Sequence, residues 1–193
     1  DLPLTAIMVT IANGADLAPA NLNLAGAEVE LLSEIGREMF LKEKLEPVQA
    51  AYDFILIDCP PSLGLLTINA LAAADEVLIP VQTQYFAFKA IEQLLDIIKK
   101  LRARANPQLK IAGFLPTMYE KTKHCQEILA ELKAAFGQQV YSTAIKKTVK
   151  FADSVVVTDE DFEKPPQART ILRFDPQSEY AKSYRQLAKE IMS

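Results

Sequence analysis

The sequence lacks a glycine-rich phosphate loop. No G-x-x-x-x-G-K-[ST] pattern occurs anywhere in its 193 residues. Such a loop gives nucleotide phosphates several backbone N–H donors, a helix N-terminus and a lysine. Without it, negligible ATP hydrolysis is expected from this polypeptide alone. Histidine occurs once, as His124, with no serine or cysteine nucleophile in a recognisable motif beside it, so a catalytic role for it is set aside. The two cysteines, Cys59 and Cys125, show no metal-ligand spacing and read as free thiols in a reducing compartment. No apolar run reaches the ~18 residues of a membrane span, and no signal peptide opens the sequence, so the expected location is the cytoplasm. The net charge of −4 argues against a general polyanion binder and leaves room for a local basic patch.

What is present is ample apolar material. Half of the residues are hydrophobic, enough for one core, and a single domain over residues 1–193 is expected. After a weak strand region over residues 1–23, Val29, Leu32, Ile35 and Met39 recur at helical steps, predicting a helix from Leu24 to about Pro47. Strands are predicted at Phe54–Asp58, Glu76–Val81, Leu109–Leu115 and Gln139–Ile145. Helices are predicted at Ser62–Ala74, from about Tyr85 to Arg104, at Lys123–Phe136, briefly from Thr148, and at Gln177–Met192. Asp159–Glu163 reads as an acidic loop. This alternation predicts an α/β fold, a three-layer sandwich around a mostly parallel sheet.

The most informative stretch runs from Tyr52 to Ser62, YDFILIDCPPS. A near-continuous apolar run reads as a buried parallel strand, and Pro60 and Pro61 force it to stop. Asp58 would then stand at the carboxyl end of the strand, where open α/β sheets place ligands. Two roles fit a carboxylate there: holding a hydrated Mg²⁺ beside a nucleotide phosphate, or capping the helix that follows.

The stretch Asp58–Leu71, DCPPSLGLLTINAL, resembles the Walker B region of ParA-type (ParA/Soj) partition ATPases of the deviant Walker P-loop family. Leu22–Leu31 resembles the segment that precedes that strand in the family, and Val77–Tyr85 the next strand and its exit. Pro116–Tyr119 resembles the end of a later strand, and Tyr184–Ile191 the last helix. The order and spacing of these segments are more specific than any one of them. The family's K-G-G-V-G-K-T-T loop has no counterpart, so the chain is expected to correspond to the C-terminal portion of such a protein, its P-loop NTPase-like fold incomplete at the N-terminus.

The resemblance implies ATP and Mg²⁺ as cofactors of an intact family member, with weak or absent binding by this chain. It implies Asp58 as the metal-facing residue, and Thr117, Met118, Ile145 and Lys146 as walls of the base pocket. Many family members carry proline where this chain has Lys146. It further implies sequence-independent DNA binding through Lys146, Lys147, Lys150, Lys182, Arg185 and Lys189, a ParB-type partner protein, a homodimer, no membrane partner and association with the nucleoid. The spacing of Lys182, Arg185 and Lys189 puts all three on one helix face, which suits phosphate contacts and equally suits a solvated surface. Two alternatives remain: a non-enzymatic DNA- or partner-binding remnant, and a MinD-like membrane-associated ATPase, which needs an amphipathic C-terminal helix able to lie on a bilayer.

Overall fold

A computed structural model describes residues 2–11, 14–21, 23–83, 87–151 and 170–193. The chain forms two compact units, Asp1–Val77 with Ile91–Lys110, and Leu78–Ala90 with Ile111–Ser193.

The first unit begins with a small antiparallel hairpin, β1 (Val9–Thr10) and β2 (Asp16–Leu17), in register Val9 to Leu17 and Thr10 to Asp16. Asp16 fixes it by accepting the hydroxyls of Thr10 at 2.5 Å and Tyr52 at 2.6 Å. Next comes helix α1 (Leu24–Leu31). The helix predicted to reach Pro47 ends there and resumes only as α2 (Phe40–Leu45). Two causes are visible. Gly36 adopts φ +69°, the left-handed conformation that ends helices, and the expected apolar stripe has no cover, with Val29 71%, Leu32 58% and Ile35 100% exposed. The Arg37 guanidinium donates to the Leu32 carbonyl at this break.

Helix α3 (Leu65–Ala73) is held at both ends by side chains from elsewhere in the unit. The Glu28 carboxylate accepts the Leu66 N–H at 3.1 Å. At the other end the Asn106 amide donates to the carbonyls of Leu71, at 3.0 Å, and Ala74, at 2.7 Å. Those end groups have no partner within the helix, and Asn106, itself buried, replaces the water they would otherwise need. Asn69 joins α2 to α3, accepting the Leu41 N–H and donating to Arg37 O.

Strands β3 (Glu76–Gln82) and β4 (Lys110–Thr117) pair with each other. Lys110 N–H donates to Asp75 O at one end and Thr83 N–H to Thr117 O at the other, so the strands run in the same direction. Helix α4 (Ala87–Arg104) links them and buries Ile91, Ile98 and Leu101.

In the second unit a further segment runs parallel to β4, through the bridges Phe114 to Val140 and Tyr119 to Lys146. The strand predicted at Gln139–Ile145 is thus present as bridges rather than as a continuous ladder. Helix α5 (Lys123–Phe136) buries Cys125, Ile128 and Leu132 at helical spacing, and Phe136 stacks on Phe114 with ring centres 3.9 Å apart. Gly113 lies where a Cβ would sit 2.7 Å from both the Gln139 carbonyl and the Tyr141 ring. The short α6 (Ile171–Phe174) leads to the last helix, α7 (Glu179–Ile191). Leu187 of α7 packs with Leu115 and Ile145, flanked by Leu78, Tyr141 and Phe151. The acidic loop predicted at Asp159–Glu163 lies outside the described residues, as does the continuation of the helix predicted from Thr148.

One expectation is corrected. Residues 54–60 belong to no strand, and Phe54 and Leu56 are 60% and 91% exposed. An apolar run becomes a buried strand only when neighbours satisfy its backbone and cover its side chains, and no strand of the described residues pairs with this one.

Candidate functional site

The site candidates fall into two groups, and only one of them is assembled. Asp58 stands exposed on the unpaired segment rather than at the tip of a buried strand. Its helix-capping alternative is filled by Glu28, which takes the Leu66 N–H. Beside it, desolvation by the surrounding chain and then the Asp58 charge push the Cys59 thiol up, although Cys59 is itself surface-exposed. Among the described residues no group of three or more His, Cys, Asp or Glu side chains is placed to hold a metal ion. These residues do not by themselves fit a magnesium-bound triphosphate.

The second group converges at the carboxyl end of β4. Ile145 N–H donates to Pro116 O at 2.8 Å, Tyr119 N–H to Ile145 O at 3.1 Å, and Lys147 N–H to Tyr119 O at 3.1 Å. Thr117 and Met118 therefore lie beside Ile145 and Lys146 across adjacent parallel segments. Met118 turns the chain there with φ +52°, a left-handed conformation uncommon outside glycine. Thr83 braces the turn, its N–H 3.1 Å and its hydroxyl 3.3 Å from Thr117 O, with the hydroxyl also 3.4 Å from Met118 O. Thr83 O accepts the buried Cys125 thiol at 3.5 Å. Hydrogen bonds from the side chains of Thr122 and then Thr83, rather than the thiol's own donation to Thr83 O, hold that thiol below its ordinary range.

The side chains over this junction are polar. Tyr119, Glu120, Lys121, Lys146, Lys147 and Glu179 line an open depression of about 330 Å³. A second, of about 400 Å³, is lined by Thr143, Ala144, Lys146, Glu179, Lys182, Ser183 and Gln186. Lys146 and Glu179 form an ion pair common to both. The Glu179 carboxylate holds the Lys146 ammonium above the ordinary lysine range, and Lys146 holds Glu179 below the carboxylate range.

The cations divide in the same way. Lys150 pairs with Asp175 at 2.6 Å and Lys147 with Glu120 at 3.6 Å. The Asp175 contact holds Lys150 above the ordinary lysine range. On α7, Lys182, Arg185 and Lys189 are exposed, and the Arg185 guanidinium donates to Pro176 O at 2.6 Å. Tyr184 meets Phe151 edge-on at 5.8 Å, as does Tyr180. Sequence reasoning missed the anions Asp175, Glu179 and Glu190. A readable signal existed for the first two, which flank Ser178, the N-cap whose hydroxyl accepts the Ala181 N–H, because acidic residues favour helix N-termini.

An AAA domain family model matches residues 3–111. The sporulation initiation inhibitor protein Soj of Bacillus subtilis is 42% identical over 186 residues, covering 96% of this chain and 70% of that protein. The chain belongs to the ParA/Soj family of P-loop partition ATPases. A chromosome-partitioning ATPase Soj from Treponema pallidum is 43% identical, covering 91% of this chain and 66% of its own length. Among solved structures, cobyrinic acid a,c-diamide synthase from Mycobacterium smegmatis with bound ADP and magnesium shares 36% identity at a TM-score of 0.71, over 86% of this chain and 72% of that one. The chain thus spans about two thirds of the length of these Soj relatives. The α/β, P-loop NTPase-like fold with a parallel sheet expected from the sequence is the observed one. Among the described residues no helix is long and apolar enough to cross a membrane.

Proposed function

We propose that this chain supplies the base-pocket and DNA-facing portion of a ParA-type chromosome or plasmid partition ATPase that works in the cytoplasm on the nucleoid. In that reading an intact assembly binds ATP with Mg²⁺, forms a homodimer, holds DNA without sequence preference and is discharged by a ParB-type partner. Thr117, Met118, Ile145 and Lys146 border the nucleotide base, and Lys146, Lys147, Lys150, Lys182, Arg185 and Lys189 meet DNA phosphates, whereas Asp58 would face a metal only with its segment paired into the sheet, which it is not here. No phosphate loop of that pattern is among these 193 residues, so the part of the reading that falls to this chain is the base pocket and the DNA face.

The observation that carries the reading is the junction of Thr117–Met118 with Ile145–Lys146 beside a basic helix face. A strand-end crevice of a parallel sheet is where α/β proteins bind nucleotides, and spaced exposed cations are what phosphate contacts require. A membrane-lying role for α7 has less support, because Leu187 of its apolar face is taken up by Leu115 and Ile145.

The test is retention of random-sequence duplex DNA by the purified chain across a salt series, with ATP turnover measured in parallel. Salt-dependent retention with negligible turnover is the expected result. Salt-independent retention would overturn the DNA-facing assignment, and turnover abolished by Asp58→Ala would overturn the reading that these residues hold no phosphate cradle.

A further inference from the structure

Two of the cations assigned to DNA are already engaged by carboxylates of one short stretch. Asp175 holds Lys150 and Glu179 holds Lys146. That stretch is fixed from within. Ser178 N–H and hydroxyl both donate to Asp175 O, at 3.1 and 2.6 Å, and Arg185 donates to Pro176 O at 2.6 Å. The carboxylates are therefore presented in place rather than carried on a loose tail. The Lys146–Glu179 pair is also the common wall of the two depressions. Lys121 and Lys147 lie on one side of it and Lys182 on the other. With the pair opened, the two depressions would join into a groove bordered by Lys121, Lys146, Lys147 and Lys182.

We propose that Glu179, over this cationic groove, and Asp175, over the neighbouring Lys150, form an intramolecular anionic cover, standing where nucleic-acid phosphates would stand, and that DNA binding requires its displacement. The proposal rests on the DNA-facing reading above and adds its regulation. The pairs are part-exposed on both sides, and surface ion pairs contribute little net stability, so a run of phosphates releasing counterions can compete with them. The cover discriminates. An isolated anion recovers no more than the carboxylate it replaces, whereas a duplex engages Lys146, Lys150 and the α7 cations together.

The experiment is fluorescence anisotropy with a random-sequence duplex over a salt series, using the full chain and Glu179→Gln, Asp175→Asn and their double variant. Glu127→Gln with Glu131→Gln, both exposed on α5, makes the same change in net charge away from the groove. The double cover variant is expected to bind about tenfold tighter than wild type, with a salt slope steeper by about 2, while the α5 control changes less than about twofold. The swap Lys146→Glu with Glu179→Lys keeps the bridge and the net charge, and is expected to bind no tighter than wild type. It carries the test if the neutral variants melt early. Equal gains in the cover and control variants, or a swap that binds as tightly as Glu179→Gln, would overturn the cover while leaving DNA binding intact. No binding by any variant at about 50 mM salt would overturn the DNA-facing reading, and the cover with it.

Discussion

Glu190 grips Thr143 twice, accepting its hydroxyl at 2.6 Å and its backbone N–H at 3.4 Å. The same carboxylate takes the N–H of Ser142 at 3.0 Å and its hydroxyl at 2.8 Å. The last helix is thereby fastened to the segment that leads into Ile145 and Lys146. Thr143 is buried, so its two donors have little access to water in Glu190→Ala, whereas those of the exposed Ser142 can turn to solvent. A loss of about 1–3 kcal/mol is expected, read as a lower urea midpoint at unchanged slope.

The same residue predicts a pH dependence. Partial burial alone would push the Glu190 carboxyl up, but the hydrogen bonds from Thr143 and Ser142 outweigh it and hold the group below its ordinary range. A pKa lowered in the folded state adds stability above the unfolded value, and that stability is lost as pH falls through the folded value. Below about pH 4.3 the wild type should therefore lose stability more steeply than Glu190→Ala. Parallel curves from denaturant titrations at pH 3 to 7 would count against this.

Asn106→Leu keeps the bulk and removes both hydrogen bonds that close the C-terminal end of α3. The carbonyls of Leu71 and Ala74 then lose their donor, for an expected cost of about 2 kcal/mol. Thermal melts of the two proteins decide it, and a midpoint within a degree of wild type would refute the capping role.

Lys182 and Lys189 have no carboxylate within ion-pair distance among the described residues, whereas Lys147 is paired with Glu120. Replacing both α7 lysines by glutamine should lower the DNA salt slope by about 2. Lys147→Gln should change it less, since its charge is already partly answered. An equal effect per residue in the anisotropy series would show that the pairing is immaterial.

The thiols should separate by access rather than by acidity. Cys125 has the lower pKa of the two but is buried, whereas Cys59 is exposed with a raised pKa. A thiolate that no reagent reaches does not react. In the native protein an alkylating reagent should therefore label Cys59 first and Cys125 only after denaturation, as peptide mass mapping would show.

Legibility in the sequence followed how far each element depends on local pattern. Helix α5 ends where its pattern says it should, because Cys125, Ile128 and Leu132 make a narrow stripe and Thr122 and Gly137 bound it. β3 and β4 were readable for the same reason. The helix predicted from Leu24 starts there but breaks after Leu31, because periodicity reports an apolar face but not whether anything covers it. The Phe54–Asp58 run failed likewise, since a ladder needs a neighbour that local pattern cannot supply. At the site, the resemblance found the residues that meet at the end of β4. It did not find that Lys146, Lys147 and Lys150 are each answered by a carboxylate, because pairings between residues 25 to 33 positions apart, as for Lys150–Asp175 and Lys146–Glu179, leave no periodic trace.

The bare Cα of Gly113 sets how tightly that site is closed. A single methyl group there would act as a wedge, levering the chain around Gln139 and Tyr141 away from its neighbouring strand. The residues that border the crevice, some thirty positions downstream, would shift with it. A substitution at a residue with no side chain of its own would therefore displace the Ile145–Lys146 segment while leaving every side chain on it unchanged.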